Sequence, residues 1–156
     1  MQVYPIGLVS ILGILLLVFQ YAGSCHCNQI ELELSLPKAI ENFVPEACDC
    51  DFCNDNNMIH LAEPCGSLEV TSMISLGHSK QGSKQAEFLR CCNCEQIVAV
   101  VAVVDGKLKG AINSECLHDA DRLGNPHLVS YDTLSAEQKK QRWARSWMPL
   151  SLSEPD

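Results

Sequence analysis

The spacing of its cysteines constrains this chain more than any other feature of the sequence. Ten cysteines occur in 156 residues, and eight of them fall into three short clusters. The clusters are Cys25-His26-Cys27, Cys48-Asp49-Cys50-Asp51-Phe52-Cys53 and Cys91-Cys92-Asn93-Cys94. An unstrained disulfide needs Cα atoms ~4.4–6.8 Å apart with Cβ atoms directed at each other, and cysteines so close in sequence rarely satisfy both conditions, whereas a short loop can direct two or three sulfurs toward one tetrahedral metal ion. The spacing therefore favours metal binding, and a secreted disulfide scaffold is the alternative.

Length and composition are those of a folded chain with one domain. Hydrophobic residues make up 47% of the 156 residues and charged residues 19%, a balance that excludes a disordered or collagen-like protein. Nineteen acidic residues against eleven Lys and Arg give a formal net charge of -8 at pH 7, which disfavours binding to a polyanion. Nucleic acid is therefore not an expected partner.

An apolar segment opens the sequence. Residues 6–19 read IGLVSILGILLLVF, and Ala22-Gly23-Ser24 has the small-residue form of a signal-peptidase site, although no Lys or Arg precedes Lys38. The segment is short for a membrane-spanning helix of ~20 residues, but residues 3–19 could cross a thinned membrane. We therefore expect residues 1–20 to form a leader that is a signal, a membrane anchor or a dispensable extension, with membrane contact through residues 3–19 as one option.

Most of the remaining chain has strand patterns. Ile30–Leu36 alternates apolar with polar, mostly acidic, residues, as a strand with one buried face does. Gln96–Val104 is continuously apolar and rich in β-branched residues, which predicts a buried central strand. The Asp105-Gly106 pair that follows predicts a hairpin to a partner strand over residues 107–115. A further strand is predicted over Leu68–Leu76, followed by an exposed loop over residues 77–85.

One helix is predicted near the C-terminus. Ser135 and Gln138 have the spacing of a capping box, and the helix that they open could run to about Trp147. Four of the eleven basic residues fall on it, which are Lys139, Lys140, Arg142 and Arg145. We interpret them as a solvent-exposed helix face, with a docking site for an anion as the alternative. Residues 148–156 are expected to form a C-terminal tail.

The cysteine clusters and the short motifs between them resemble a known family. The motifs are Gly23-Ser24-Cys25-His26-Cys27, Cys48-x-Cys50-x-x-Cys53, Gly66-Ser67-Leu68, Ala86-Glu87-Phe88, Cys91-x-x-Cys94 and Cys116-Leu117. In this order they resemble the glutathione-dependent formaldehyde-activating enzyme family, which also includes the centromere protein V domain. The match covers roughly residues 21–147, which defines the expected zinc-binding domain.

The resemblance implies a mainly β, Mss4-like fold with a short C-terminal helix and two zinc ions per chain. The first zinc would be structural and would be held by Cys25, Cys27, Cys91 and Cys94. The second would have three protein ligands, Cys48, Cys50 and Cys53. A zinc ion with an open fourth position is typical of a catalytic site, whereas a complete set of four ligands is typical of a structural one.

The resemblance also implies an activity. The expected function is that of a zinc-dependent carbon–sulfur lyase that acts on an adduct of glutathione, or of a similar thiol, such as S-hydroxymethylglutathione. Asp49, Asp51 and His60 are candidate proton carriers because they lie near the three-cysteine cluster in sequence. The family resemblance implies a cytoplasmic protein. The apolar leader indicates the alternative, a membrane-anchored or secreted protein. A non-catalytic zinc module that binds a protein partner is the alternative function.

Several residues depart from the family pattern or fall outside the two ligand sets. Asn28 and Glu95 stand where glycine commonly follows a cysteine cluster, and Arg90 stands where an aromatic residue is frequent. Cys92 could replace its neighbour Cys91 as a ligand, although Cys91-x-x-Cys94 has the commoner spacing. Cys65 and Cys116 are interpreted as small buried hydrophobic residues, with completion of the open site or a mutual disulfide as the alternatives.

Overall fold

Strands dominate the fold, as the alternating and β-branched segments predict. The computed structural model describes residues 5–11 and 14–155. In this part of the chain the strands are β1 (Pro5–Ile11), β2 (Ile14–Ser24), β3 (Ile30–Leu36), β4 (Glu46–Cys48), β5 (Ile59–Leu61), β6 (Ser67–Ser72), β7 (Leu76–Lys80), β8 (Glu87–Cys91), β9 (Ile97–Val104), β10 (Lys107–Asn113), β11 (His127–Val129) and β12 (Met148–Ser153). The helices are α1 (Asp51–Asp55) and α2 (Ala136–Ser146), and single 3-10 turns span Ile40–Asn42, Ser114–Cys116 and Ala120–Arg122. The predicted fold class, mainly β with a short C-terminal helix, is confirmed.

The strands form one branched sheet. Its main path runs β1-β2-β3-β6-β12-β10-β5-β4-β11, and β9, β8 and β7 branch from β10 in that order. The pairs β6–β12 and β4–β11 are parallel, and the other pairs between the described strands are antiparallel. Strand β12 joins the two halves because it pairs with β6 on one side and with β10 on the other.

Within residues 148–156, where a tail was expected, Met148–Ser153 form strand β12. Met148 and Leu150 are both buried and alternate with exposed residues, so β12 has one core-facing side. The tail prediction failed because the segment is short and carries a proline, and a strand of this kind is stabilised by its partners more than by its own sequence.

The N-terminal apolar segment also differs from its prediction. Residues 5–11 and 14–24 form two paired antiparallel strands, and β2 continues directly into the pairing with β3. Within residues 5–11 and 14–155, no helix has the length and apolar character needed to cross a membrane. These findings contradict the membrane-anchored or secretory localisation that the apolar segment in residues 1–20 offered as the alternative to a cytoplasmic one. Residues 1–4 and 12–13 of that predicted leader lie outside the described part of the chain.

The core consists of two packed clusters that share strand β9. Val98, Ala99 and Val101 face the first cluster, which includes residues of β3, β6 and β12. Ile97 and Val100 face the second, together with Ala102, Val104, Trp147 and the cysteines Cys48 and Cys53. Because both faces of β9 are covered, the strand needs a continuous rather than an alternating apolar sequence. The predicted buried central strand is confirmed.

Local turn chemistry agrees with the sequence at two further places. Asp105 and Gly106 both have positive φ values, 52° and 76°, as a two-residue hairpin turn between β9 and β10 requires. The Ser135 side chain accepts a hydrogen bond from the backbone N–H of Gln138, and the Gln138 side chain accepts one from the backbone N–H of Ser135. Helix α2 therefore begins with the predicted capping box. Both signals depend only on neighbouring residues.

The predicted loop over residues 77–85 is partly wrong. Residues 76–80 form β7, which pairs antiparallel with β8, and β6 ends at Ser72 instead of continuing to Leu76. The polar sequence of β7 misled the prediction because only Leu76 of this strand is buried. Strand β7 exists because β8 supplies its hydrogen-bond partners.

Candidate metal centres

Four cysteine sulfurs converge where two hairpin-like turns meet. Cys25 and Cys27 follow β2. Cys91 is the last residue of β8, and Cys94 follows that strand. The four sulfur atoms all lie within 4.8 Å of one another. The Cys25 and Cys27 sulfurs are 3.6 Å apart, and those of Cys27 and Cys91 are 3.5 Å apart. A tetrahedral ion with metal–sulfur bonds of ~2.3 Å requires sulfur separations of about 3.8 Å, so the arrangement fits one metal ion.

The two turns are closed by the same kind of backbone hydrogen bond. Cys25 N–H donates to the Ile30 carbonyl at 3.1 Å, and Cys91 N–H donates to the Gln96 carbonyl at 2.9 Å, so each bond joins residues five positions apart. Backbone N–H groups also point at the sulfurs, with Ile30 N 3.4 Å from Cys25 Sγ and Cys94 N 3.5 Å from Cys91 Sγ. Such hydrogen bonds stabilise sulfur in the thiolate form that a metal ion requires.

Both turns place a residue other than glycine in the left-handed region. Asn28 has φ 66° and Glu95 has φ 67°. Glycine, the residue that the family resemblance leads one to expect at both positions, is the residue best suited to this conformation. Asn tolerates this conformation better than Glu does, and strain is therefore concentrated at Glu95.

Two sulfurs of the four-cysteine site have shifted pKa values, in opposite directions. Hydrogen bonds, first from the Asn93 side chain and then from the Gln29 backbone, lower the pKa of Cys27 to about 6. Burial raises the pKa of Cys91 to about 12. Adjacent thiolates repel one another, so four of them are held together only by a positive charge. A divalent ion would allow all four to bind as thiolates.

Three further cysteine sulfurs converge at a second place. Cys48 ends β4, Cys50 precedes α1 as its N-cap, and Cys53 lies within the helix. Their sulfurs lie within 4.8 Å of one another, with Cys48 and Cys53 buried and Cys50 exposed. The Cys50 sulfur accepts a hydrogen bond from the Cys53 backbone N–H at 3.4 Å. The short helix thus directs two of the three sulfurs to the same point.

Charge is again divided unequally among these sulfurs. A hydrogen bond from Cys53 is the main reason that the pKa of Cys48 falls to about 6. The same hydrogen bond and burial raise the pKa of Cys53 well above its usual range. Cys48 therefore holds a thiolate charge more readily than Cys53 does.

His60 on β5 contacts this site at one edge. Its Nε2 lies 3.6 Å from Cys53 Sγ, and His60 is not part of the group whose ligand atoms all converge. Burial lowers the pKa of His60 to about 4, so its imidazole is neutral at physiological pH. Of the three predicted proton carriers, His60 is therefore the one in contact with a cysteine, whereas Asp49 and Asp51 are solvent-exposed.

A cavity of about 760 Å³ opens onto the three-cysteine site. Its volume lies within the ~300–1,000 Å³ range of small-molecule sites. All three cysteines and all three predicted proton carriers line it. Aromatic side chains from α1, β8 and α2 and from the loop before α2 form much of the wall, and they are Phe52, Phe88, Tyr131, Trp143 and Trp147. The four-cysteine site has no residue in this cavity.

Contacts among the wall residues fix its shape. Trp143 stacks on Trp147 with ring centroids 4.6 Å apart, and Phe52 packs against Phe88 at 4.7 Å. Glu46 accepts hydrogen bonds from Tyr131 Oη at 2.9 Å and from Arg142 Nη2 at 3.2 Å. Burial is the main cause that raises the pKa of Tyr131 to about 12, so its hydroxyl keeps the proton that it donates to Glu46.

The remaining cysteines stand apart from both ligand sets. Cys91 is buried among the converging sulfurs and Cys92 is exposed, which agrees with the choice of Cys91 as the ligand. Cys116 is buried as expected, and burial raises its pKa to about 12. Cys65 is exposed, so its interpretation as a buried residue is wrong. All ten cysteines lie in the described part of the chain, and none of them forms a disulfide.

A link between the two sites went unrecognised in the sequence. Arg90 Nη1 donates to the Glu95 carbonyl at 2.6 Å, and its Nη2 donates to Asn56 Oδ1 at 2.9 Å. Asn56 in turn donates to the Phe52 carbonyl in α1 at 2.8 Å. Arg90 thus ties the turn of the four-cysteine site to the helix of the three-cysteine site. The only sequence signal was its departure from the aromatic residue that is frequent before the third cluster.

Fold and sites together define a mainly β protein with two thiol clusters that could each hold a metal ion. No protein-family model matches the chain, and no curated protein matches it. Its fold is similar to the crystal structure of a Rhodobacter sphaeroides protein, with a TM-score of 0.52 and 22% sequence identity. The match covers 69% of this chain and 99% of that chain. At this level of identity the similarity concerns the fold alone.

Proposed function

We propose that this protein is a zinc-dependent enzyme of the carbon–sulfur lyase type that acts on an adduct of glutathione or of a similar thiol, such as S-hydroxymethylglutathione. The observation that carries the proposal is the difference between the two cysteine sites. One has four converging sulfurs and no residue in the cavity, whereas the other has three and lies in the cavity wall. The family resemblance of the cysteine motifs supports the same division.

The donor sets support zinc at both sites, and hence two zinc ions per chain. Thiolate sulfur is a soft ligand that prefers zinc to magnesium or calcium, and tetrahedral sulfur sites are typical of zinc. Bound to Cys48, Cys50 and Cys53, the ion would make a site of net charge −1, which is suited to accepting a substrate thiolate and poorly suited to generating hydroxide at neutral pH.

In the proposed reaction the carbon–sulfur bond of the adduct breaks and the sulfur leaves as a thiolate with the bonding electron pair. The hydroxyl oxygen of the adduct loses its proton and becomes the carbonyl oxygen of formaldehyde. The chain must therefore accept one proton near the three-cysteine site. The candidates are His60, which lines the cavity beside Cys53 and is neutral, and the carboxylates of Asp49 and Asp51, which also line the cavity.

Cys50→Ser tests the proposal. Cys50 is exposed and belongs to the three-cysteine set, so its loss should abolish turnover of S-hydroxymethylglutathione and release one metal ion while the four-cysteine site and the fold persist. Cys65→Ser is the matched control, because Cys65 is also exposed but lies outside both sets. Turnover can be followed by formaldehyde release, metal by elemental analysis and folding by circular dichroism.

Two results would contradict the proposal. Undiminished turnover in Cys50→Ser would show that the three-cysteine site is not catalytic. Loss of folding in Cys50→Ser, with no turnover in the wild-type protein, would favour the non-catalytic zinc module instead.

A further inference from the structure

Helix α2 brings one cation into the cavity without an acidic partner. Lys139 lines the cavity together with Arg142, whereas their neighbour Lys140 is exposed and does not. The Lys139 ammonium nitrogen lies 3.6 Å from the position that a Cβ on Gly82 would occupy, so it stands beside the loop that forms another part of the wall.

Arg142 is already engaged. Its Nη2 lies 3.2 Å from Glu46 Oε2, and its guanidinium carbon lies 5.1 Å from the centroid of the Tyr131 ring. These contacts compensate its charge and hold it in the wall. Throughout residues 17–155, by contrast, no carboxylate oxygen comes within 4.0 Å of the Lys139 nitrogen. Lys139 is thus the basic residue of the cavity wall that no carboxylate in this part of the chain engages directly, in a cavity that Glu46, Asp49, Asp51 and Asp132 also line.

We propose that Lys139 binds a carboxylate of the substrate, and that the site therefore selects thiols that carry a carboxylate at a distance from the sulfur. This inference rests on the proposed function, because it assumes that a thiol binds at the three-cysteine site of the same cavity. It changes the interpretation of the four basic residues on α2, which the sequence favours as a solvated face, because Lys139 and Arg142 line the cavity.

The size of the cavity agrees with a ligand that reaches from the cysteines to Lys139. A volume of about 760 Å³ equals that of a sphere about 11 Å across, and an extended tripeptide spans about 10 Å at ~3.3–3.6 Å per residue. A small thiol without a carboxylate could occupy the cysteine end but would leave the ammonium group unpaired. An ion pair with the substrate replaces some of the hydration that Lys139 loses when the cavity is filled.

The chain supplies its own reporter for this binding. Its two tryptophans, Trp143 and Trp147, both line the cavity, so their fluorescence responds to a ligand there. We would titrate the metal-containing protein with glutathione and with glutathione diethyl ester, which keeps the thiol but lacks free carboxylates. Lys139→Gln is the test variant, and Lys140→Gln is the control on the same helix.

Lys139→Gln should bind glutathione about tenfold more weakly than the wild-type protein, as expected for loss of a hydrogen bond between charged groups. Lys140→Gln should bind as the wild type does. The wild-type protein should discriminate against the diethyl ester by a similar factor, and Lys139→Gln should bind the two ligands equally.

Two results would refute the role of Lys139 while leaving thiol binding intact. In the first, the wild type and Lys139→Gln bind glutathione equally well. In the second, the wild type binds glutathione and its diethyl ester equally well. If neither ligand binds to the wild type, the inference and the proposed function are both wrong. Binding that depends on Lys139, without turnover of the hydroxymethyl adduct, would support the carboxylate site and refute the lyase reaction.

Discussion

Replacement of Glu95 by glycine should stabilise the protein, although it removes a side chain. Glu95 has φ 67° in the turn that follows Cys94, and its side chain is exposed. Its backbone groups are engaged, since its N–H donates to the Cys91 carbonyl at 2.8 Å and its carbonyl accepts from Arg90 at 2.6 Å. The turn is therefore held in a conformation that glutamate disfavours, and glycine could adopt it without changing these hydrogen bonds.

The expected gain follows from two opposing contributions. A residue with a Cβ in the left-handed region costs about 1–2 kcal/mol, which glycine avoids. Glycine also makes the unfolded chain more flexible, which costs roughly 0.4–1 kcal/mol. The net gain for Glu95→Gly should be about 0.5–1 kcal/mol in the free energy of unfolding, or an increase of roughly 1–4 °C in the melting temperature for a chain of this size.

The measurement is urea unfolding at a fixed concentration of free zinc, because metal binding contributes to the free energy of folding. Glu137→Gly is the matched control. Glu137 is also exposed but lies in the first turn of α2, so glycine there should lower the free energy of unfolding by about 0.5–1 kcal/mol. If both variants lose stability to the same extent, the turn is not strained and the explanation of its geometry is wrong.

Three further predictions concern the core, the surface and the metal sites. The side chain of the fully buried Asn113 accepts hydrogen bonds from the Ile59 and Glu115 N–H groups and donates one to the Ile97 carbonyl. Asn113→Ala should therefore lower the free energy of unfolding, measured in urea, by about 3 kcal/mol. A loss under ~1 kcal/mol would contradict these hydrogen bonds. Hydrogen bonds to Glu87 and then Glu154 raise the pKa of His78 above its usual value of 6.5. The wild type should therefore have a slightly larger free energy of unfolding than His78→Gln below pH 6.5, and this difference should fade as the pH rises through the raised pKa. A difference that grows with pH would contradict the prediction. A chelator should remove metal from the three-cysteine site first, with a change in tryptophan fluorescence. It should unfold the chain only when it also removes metal from the four-cysteine site. Simultaneous loss of metal from both sites would argue against two distinct sites.

The sequence predicts well those elements whose signals are local. Ile30–Leu36 alternates because one face of β3 is buried, and the structure has a strand with the same bounds. The Asp105-Gly106 turn and the capping box at Ser135 follow from the conformational preferences of the residues themselves. Within each cysteine cluster sulfurs also point to a common centre as the spacing predicts, since short loops limit where they can point, whereas the pairing of the first cluster with the third was expected only from the family resemblance.

Features that depend on distant parts of the chain could not be predicted in this way. Strand β12 exists because β6 and β10 provide its partners, and the apolar N-terminal segment is extended because β1, β2 and β3 pair in series. Likewise, the sequence places Lys139 and Lys140 side by side, and only the packing of α2 over the cavity separates their roles. The departure at Glu95 is visible in the sequence, but its positive φ is not.

Native mass spectrometry of protein purified without reductant tests the central claim most directly, since it counts bound metal and disulfides in the same molecules. The seven converging sulfurs predict a main species with two zinc ions per chain and no disulfide, and one zinc ion fewer for Cys50→Ser. A wild-type chain without metal, with its mass lowered by two hydrogens for each disulfide formed among these cysteines, would contradict the account.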